Sequence, residues 1–153
     1  MKYYDWKEYG EYAVYIFILY TGLTIVVTLE GFETEDVSRH VKLLASMCEV
    51  ESGGDCSKIG LADELGCYQI LEPYWFDALE HDPSIGGEYE DVLDKEYSEK
   101  VIYAFWARYA TEERLGRPVT DEDRARMHNK GPDGYKKDAS IPYWIKVQNE
   151  LRN

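Results

Sequence analysis

The chain has 153 residues, and a hydrophobic share of 44% is enough for one domain with a real core. Its 30 acidic residues against 17 basic ones give a net charge of −13. That balance excludes nucleic acid and anionic membrane surfaces as partners.

Residues 1–30 differ in character from the rest of the chain. Residues 13–29 form an uncharged run of 17, too long for an ordinary strand and just able to span a bilayer. The run comes after Lys2 and Lys7, as a secretory signal would, although Asp5, Glu8 and Glu11 dilute the positive region and there is no A-x-A cleavage site behind it. A signal peptide or signal anchor is the preferred reading, and a buried core helix is the other. The domain proper is then residues 31–153.

Thr34 can cap a first helix, with Glu35 and Asp36 in the turn where the dipole favours them. Val37, Val41, Leu44 and Cys48 recur at steps of three and four, and Glu51 falls on the same stripe one turn later. A carboxylate there is partly desolvated and lies at the negative end of the helix dipole; both effects raise its pKa. The plainer alternative is a Glu that frays into solvent. Gly53-Gly54 stops the helix.

Residues 52–66 are short, polar and punctuated by glycine, which predicts a hairpin or small β-sheet. Cys48, Cys56 and Cys67 lack paired C-x-x-C spacing, and no cluster of histidines accompanies them, so no metal site and no cofactor is expected. Cys56 and Cys67 flank the hairpin and are expected to close it as a disulfide, with Cys48 acting as a small buried hydrophobe. Pro73 is placed to open a short helix through about Glu80. After a loop broken by Pro83, Gly86 and Gly87, the spacing predicts a long helix over residues 98–113 with a wide apolar face. Thr120-Asp121-Glu122-Asp123 resembles a capping box for a helix to His128, and residues 128–134 form a shaped loop. Ser140 can cap a last helix carrying Tyr143, Trp144, Val147 and Leu151. The fold class is α+β, mostly α-helical.

Several motifs in this order carry a resemblance. They are Cys48-Glu49-Val50-Glu51-Ser52-Gly53, Tyr68-Gln69-Ile70, Glu72-Pro73-Tyr74-Trp75, His128-Asn129-x-Gly131-Pro132-x-Gly134 and Tyr143-Trp144. Together they resemble the invertebrate-type (i-type, destabilase-like) lysozymes, from about residue 41 to residue 151. The resemblance implies a lysozyme-like fold with a small β-hairpin region and hydrolysis of the β-1,4 bond of peptidoglycan. It makes Glu51 the general acid, the role a raised-pKa carboxyl suits.

The sequence also departs from the family. Most of the family's disulfide positions are filled otherwise, for example by Gly54 and Tyr135. The family's catalytic Asp precedes the Tyr-Gln-Ile motif; one gap placement puts Ile59 there, another brings Asp63 within reach, and Asp55 is a third choice. Asp63 is favoured. Tyr68 and Gln69 are candidates to line a sugar cleft, or else a strand that only packs. His128 and Asn129 are candidates for hydrogen bonds to sugar, although shaping the loop backbone is the favoured role.

Three functions fit: a muramidase, a lysozyme-like protein that only binds saccharide such as chitooligosaccharide, and an isopeptidase. The last needs a Ser and a Lys where this chain has Glu64 and Leu71, and is disfavoured. The acidity opposes attraction to anionic bacterial walls, which suits secretion into an acidic digestive or lysosomal compartment. Membrane contact is expected only through residues 13–29 as an anchor.

Overall fold

The computed structural model describes the backbone from residue 32 and the side chains from residue 37 to residue 153. The segment read as a signal or anchor lies outside the described residues. Among the described residues no helix is long and apolar enough to cross a membrane.

Six α-helices are described: α1 (Phe32–Ser52), α2 (Glu72–His81), α3 (Lys95–Tyr109), α4 (Glu112–Leu115), α5 (Asp121–Lys130) and α6 (Ile141–Glu150). Burial on α1 begins later than the apolar stripe predicts. Val37 and Val41 are exposed, whereas Leu43, Leu44, Met47 and Cys48 enter the core. Only about the last three turns of α1 therefore carry the buried face, and Glu51 sits at its end. Gly53 takes φ 69° and its N–H bonds the Glu49 carbonyl at 2.9 Å, ending the helix one residue after Ser52.

The core joins these α1 side chains to Val101, Ile102, Phe105 and Trp106 of α3, Ala125 and Met127 of α5, and Tyr143 and Val147 of α6. Burying each large apolar side chain contributes about 1.5–3 kcal/mol. Helix α2 packs on α3 and α5 packs on α6. The long helix predicted over residues 98–113 starts earlier and stops sooner. Asp94 caps it through the Tyr97 amide at 2.8 Å, and Thr111 starts a separate short helix by capping Arg114 N–H.

The start of α5 agrees with the capping-box prediction: Thr120 and Asp123 exchange side chain to backbone hydrogen bonds. Arg117 adds a two-pronged contact to both Asp123 oxygens at 2.7 Å. Although burial opposes its charge, these bonds hold Asp123 below the usual carboxylate range. Ser140 precedes α6 but makes no cap bond. Its hydroxyl lies 2.7 Å from the Gly134 carbonyl and accepts from Arg126 Nε at 2.9 Å, tying the residue 131–134 loop to α5.

The predicted hairpin is not found: no strand is present among the described residues. Residues 53–71 instead fold back twice through two isolated antiparallel bridges, Ile59 with Leu65 and Leu65 with Ile70. The turns at 61–64 and 66–69 leave one paired residue at each crossing, too few for a ladder. The expected Cys56–Cys67 disulfide is also absent. All three thiols are free, with Cys67 fully buried and its thiol pushed up by burial and by the neighbouring thiols of Cys56 and Cys48. Without a hairpin to close, the segment is held by backbone bonds and the burial of Cys67, Tyr68 and Ile70.

Candidate active site

A cleft of about 390 Å³ opens where the end of α1 faces the folded-back loop, α2, and the end of α5. Glu51, Glu64, Gln69, His128, Asn129 and Lys130 line it, together with Tyr74 and Phe105, whose rings stack at a separation of 3.8 Å. A larger depression of about 610 Å³ lies between α2 and α3. Its basic groups, His81 and Lys100, are exposed, and its one carboxylate, Asp82, is held by the Ser84 amide and hydroxyl, which keep it below the usual carboxylate range, so it offers no protonated acid.

Glu51 is half-buried, and its pKa rises from 4.5 to about 7. Burial is the main cause. The Tyr143 hydroxyl and the ammonium groups of Lys58 and Lys130 oppose the rise, while the negative charge of Glu64 adds to it. The Tyr143 hydroxyl faces the Glu51 carboxyl without completing a hydrogen bond, which leaves that buried oxygen unpartnered. Lys58 reaches back to the Glu51 main-chain carbonyl at 2.6 Å, placing a cation on the exposed carbonyls of the α1 terminus. Helix end and loop are thus fixed together.

His128 is a structural member of this site. Its Nε2 lies 2.9 Å from the Tyr68 carbonyl, an acceptor only, so Nε2 carries the proton. Nδ1 is then left to accept from the Tyr74 hydroxyl at 3.4 Å. Burial lowers the His128 pKa from 6.5 to about 4. The 3.9 Å approach of Nε2 to Glu51 Oε1 is therefore not an ion pair between about pH 4 and pH 7, where both groups are neutral.

The other predicted residues separate. Gln69 lines the cleft with a left-handed φ of 48°, its amide donating to the carbonyls of Gly66 (2.8 Å) and Lys58 (3.3 Å). Asn129 lines the cleft too. Tyr68 does not: it is fully buried, donates to Glu99 Oε1 at 2.7 Å, and belongs to the core. Asp63 is exposed, also left-handed at φ 63°, and is not among the cleft-lining residues. The carboxylate that the loop does present to the cleft is Glu64, which sequence reasoning passed over. The cleft lining contains no Ser, Thr or Cys, so the nucleophile an isopeptidase needs is missing from it. Among the described residues no group of three His, Cys, Asp or Glu could hold a metal ion.

Comparison with known proteins matches this architecture. The destabilase family model covers residues 40–150. The invertebrate-type lysozyme of Ruditapes philippinarum is 34% identical over 113 residues, which is 70% of this chain and 78% of that protein. Lysozyme 1 of Crassostrea virginica is also 34% identical, over 77% of this chain and 62% of that one. The crystal structure of Tapes japonica lysozyme superposes with a TM-score of 0.59 at 29% identity, over 70% of this chain and 86% of that one. An inhibitor-bound lysozyme from Meretrix lusoria superposes with a TM-score of 0.60. The mostly helical fold is therefore lysozyme-like, and the chain belongs to the destabilase family of invertebrate-type lysozymes.

Proposed function

We propose that the chain is a lysozyme-type glycosidase that cleaves β-1,4 bonds of bacterial peptidoglycan, with Glu51 as its general acid. The observation that carries this reading is a carboxyl that burial keeps protonated up to about pH 7, set at the wall of a cleft in a chain of the lysozyme family. Glu51 gives its proton to the glycosidic oxygen as the bond from that oxygen to the anomeric carbon breaks, and the bonding pair leaves with the oxygen. A water then adds to the anomeric carbon and returns a proton to Glu51. Gln69, Asn129 and the Gly131-Pro132 backbone are positioned to receive the sugar, while neutral His128 holds the α5 end against the Tyr68 carbonyl.

The net charge of −13 repels an anionic wall at neutral pH. A secreted enzyme working in an acidic digestive compartment avoids part of that repulsion and keeps Glu51 protonated. Residues 31–153 are the part to which this function is assigned.

The test is Glu51→Gln, which keeps size and hydrogen bonding but has no proton to give. Wall lysis should fall by about 10²–10⁴-fold with the fold intact by circular dichroism. A wild type that lyses nothing between pH 4 and pH 8 yet binds chitooligosaccharide would replace this reading with that of a saccharide-binding protein.

A further inference from the structure

Three acids line the cleft: Glu51, Glu64 and Asp77. Asp77 is engaged elsewhere, 3.5 Å from the Arg108 guanidinium, which also donates to its main-chain carbonyl at 2.7 Å. Glu64 is in no ion pair among the described residues. Its Oε2 accepts the Ala62 amide proton at 2.8 Å, which leaves Oε1 with no hydrogen bond there. That grip draws the Glu64 side chain across Gly60, whose own amide bonds the Glu64 carbonyl at 2.7 Å. A Cβ at position 60 would collide with Glu64 Oε2 and stand 2.7 Å from Gln69 Oε1. The bare glycine thus makes room for both side chains at the cleft wall. Glu64 is also close enough to Glu51 for its charge to add to the rise that burial gives the Glu51 pKa. Asp63, one residue earlier, is turned out of the cleft, and its carbonyl is taken by the Tyr89 hydroxyl at 2.9 Å.

We propose that Glu64, and not Asp63, is the second carboxylate of this enzyme: it lines the same cleft as Glu51 and stabilises the positive charge that develops at the anomeric carbon. The proposal rests on the glycosidase reading. It assigns Glu64 an electrostatic role with no bond to the sugar; bond breaking, proton donation and water addition remain with Glu51. The Ala62 amide anchors this side chain by one carboxylate oxygen.

The experiment compares wild type, Glu64→Gln, Asp63→Asn and Gly60→Ala in peptidoglycan lysis, with chitooligosaccharide affinity and Glu51 titration by NMR measured on each. Gln can still accept from the Ala62 amide and Asn tolerates a left-handed φ, so both variants should fold. Glu64→Gln should lower kcat at least about a hundredfold, with KM and saccharide affinity within a few-fold. It should also lower the Glu51 pKa, moving the basic limb of residual activity to lower pH, a change that a merely structural Glu64 would not produce. Gly60→Ala keeps the charge but displaces it, and should lower kcat while the protein still melts cooperatively. Asp63→Asn should keep turnover within about twofold. An active wild type with an active Glu64→Gln, or an unchanged Glu51 titration in that variant, overturns the assignment to Glu64 alone. A wild type with no lysis to lose overturns the glycosidase reading beneath it.

Discussion

Replacing Glu51 should change how stability depends on pH, and the size of the change is set by two buried neighbours that titrate in opposite senses. Glu51 rises from 4.5 to about 7 on folding, chiefly by desolvation. Its contribution to stability is fully present below pH 4.5 and is lost as pH rises through 7, because the ionised form is the one that folding disfavours. His128 falls from 6.5 to about 4, again by burial. Its contribution is present above pH 6.5 and is lost as pH falls through 4. Each separation corresponds to about 3 kcal/mol, and neither side chain is exposed enough to discount that heavily, at 19% and 3%. In the wild type the two terms nearly cancel between pH 4 and pH 7. Glu51→Gln removes one of them.

The variant should therefore gain about 3 kcal/mol on the wild type at pH 8 relative to its standing at pH 4, roughly 6–12 °C in the difference between their Tm values. Its own stability should fall with acid as His128 is forced to charge. Calorimetric melting of both proteins at pH 4 and pH 8 and equal ionic strength measures this directly, since every other carboxylate titrates in both and drops out of the difference. A Tm difference that is the same at both pH values would refute the reasoning, because Glu51 would then be an ordinary solvated carboxylate. A gain at pH 8 would also show what the site costs the fold: a proton donor at neutral pH is kept by burying a group that would rather be wet.

Tyr68→Phe should cost about 1.5 kcal/mol through loss of the 2.7 Å bond to Glu99, and leave kcat within twofold; a large fall in kcat with unchanged Tm would return Tyr68 to the sugar cleft. Thiol titration of denatured, unreduced protein should count three free thiols, and a count of one would establish a bridge that the fold as described does not contain.

The parts of the molecule that were legible in the sequence are those governed by local rules. The capping box at Thr120, Pro73 at the start of α2 and the glycine stop after α1 each answer a demand that a few adjacent residues settle among themselves. The raised pKa of Glu51 was legible for the same reason, through its place on the buried end of a helix. What failed depended on distant chain. The 3,4 stripe on α1 includes Val37 and Val41, but periodicity states only that a face exists and cannot say where along the helix the rest of the protein begins to cover it. Tyr68 obeys the same rule: a Tyr beside a cleft motif reads as a ligand contact until Glu99, 31 residues away, proves to hold its hydroxyl inside.

The choice of a second carboxylate shows what spacing alone cannot decide. Counting residues along the chain leaves Asp63, Asp55 or a loss at Ile59 as the choices, on the assumption that the segment is a strand whose side chains alternate between faces. The segment is not a strand. Left-handed residues at Asp63 and Gln69 and two single-residue bridges break the alternation, so the face presented by each residue is set by the turn it occupies. One sequence signal did bear on the choice. Gly60 is a residue without a side chain in a segment where it takes no left-handed φ, so its value lies in what can pass over it. The side chains that do so are Glu64 and Gln69, both at the wall of the cleft. A glycine that backbone conformation does not require points to a close approach, and here the approaching groups include Glu64, the carboxylate proposed to act with Glu51.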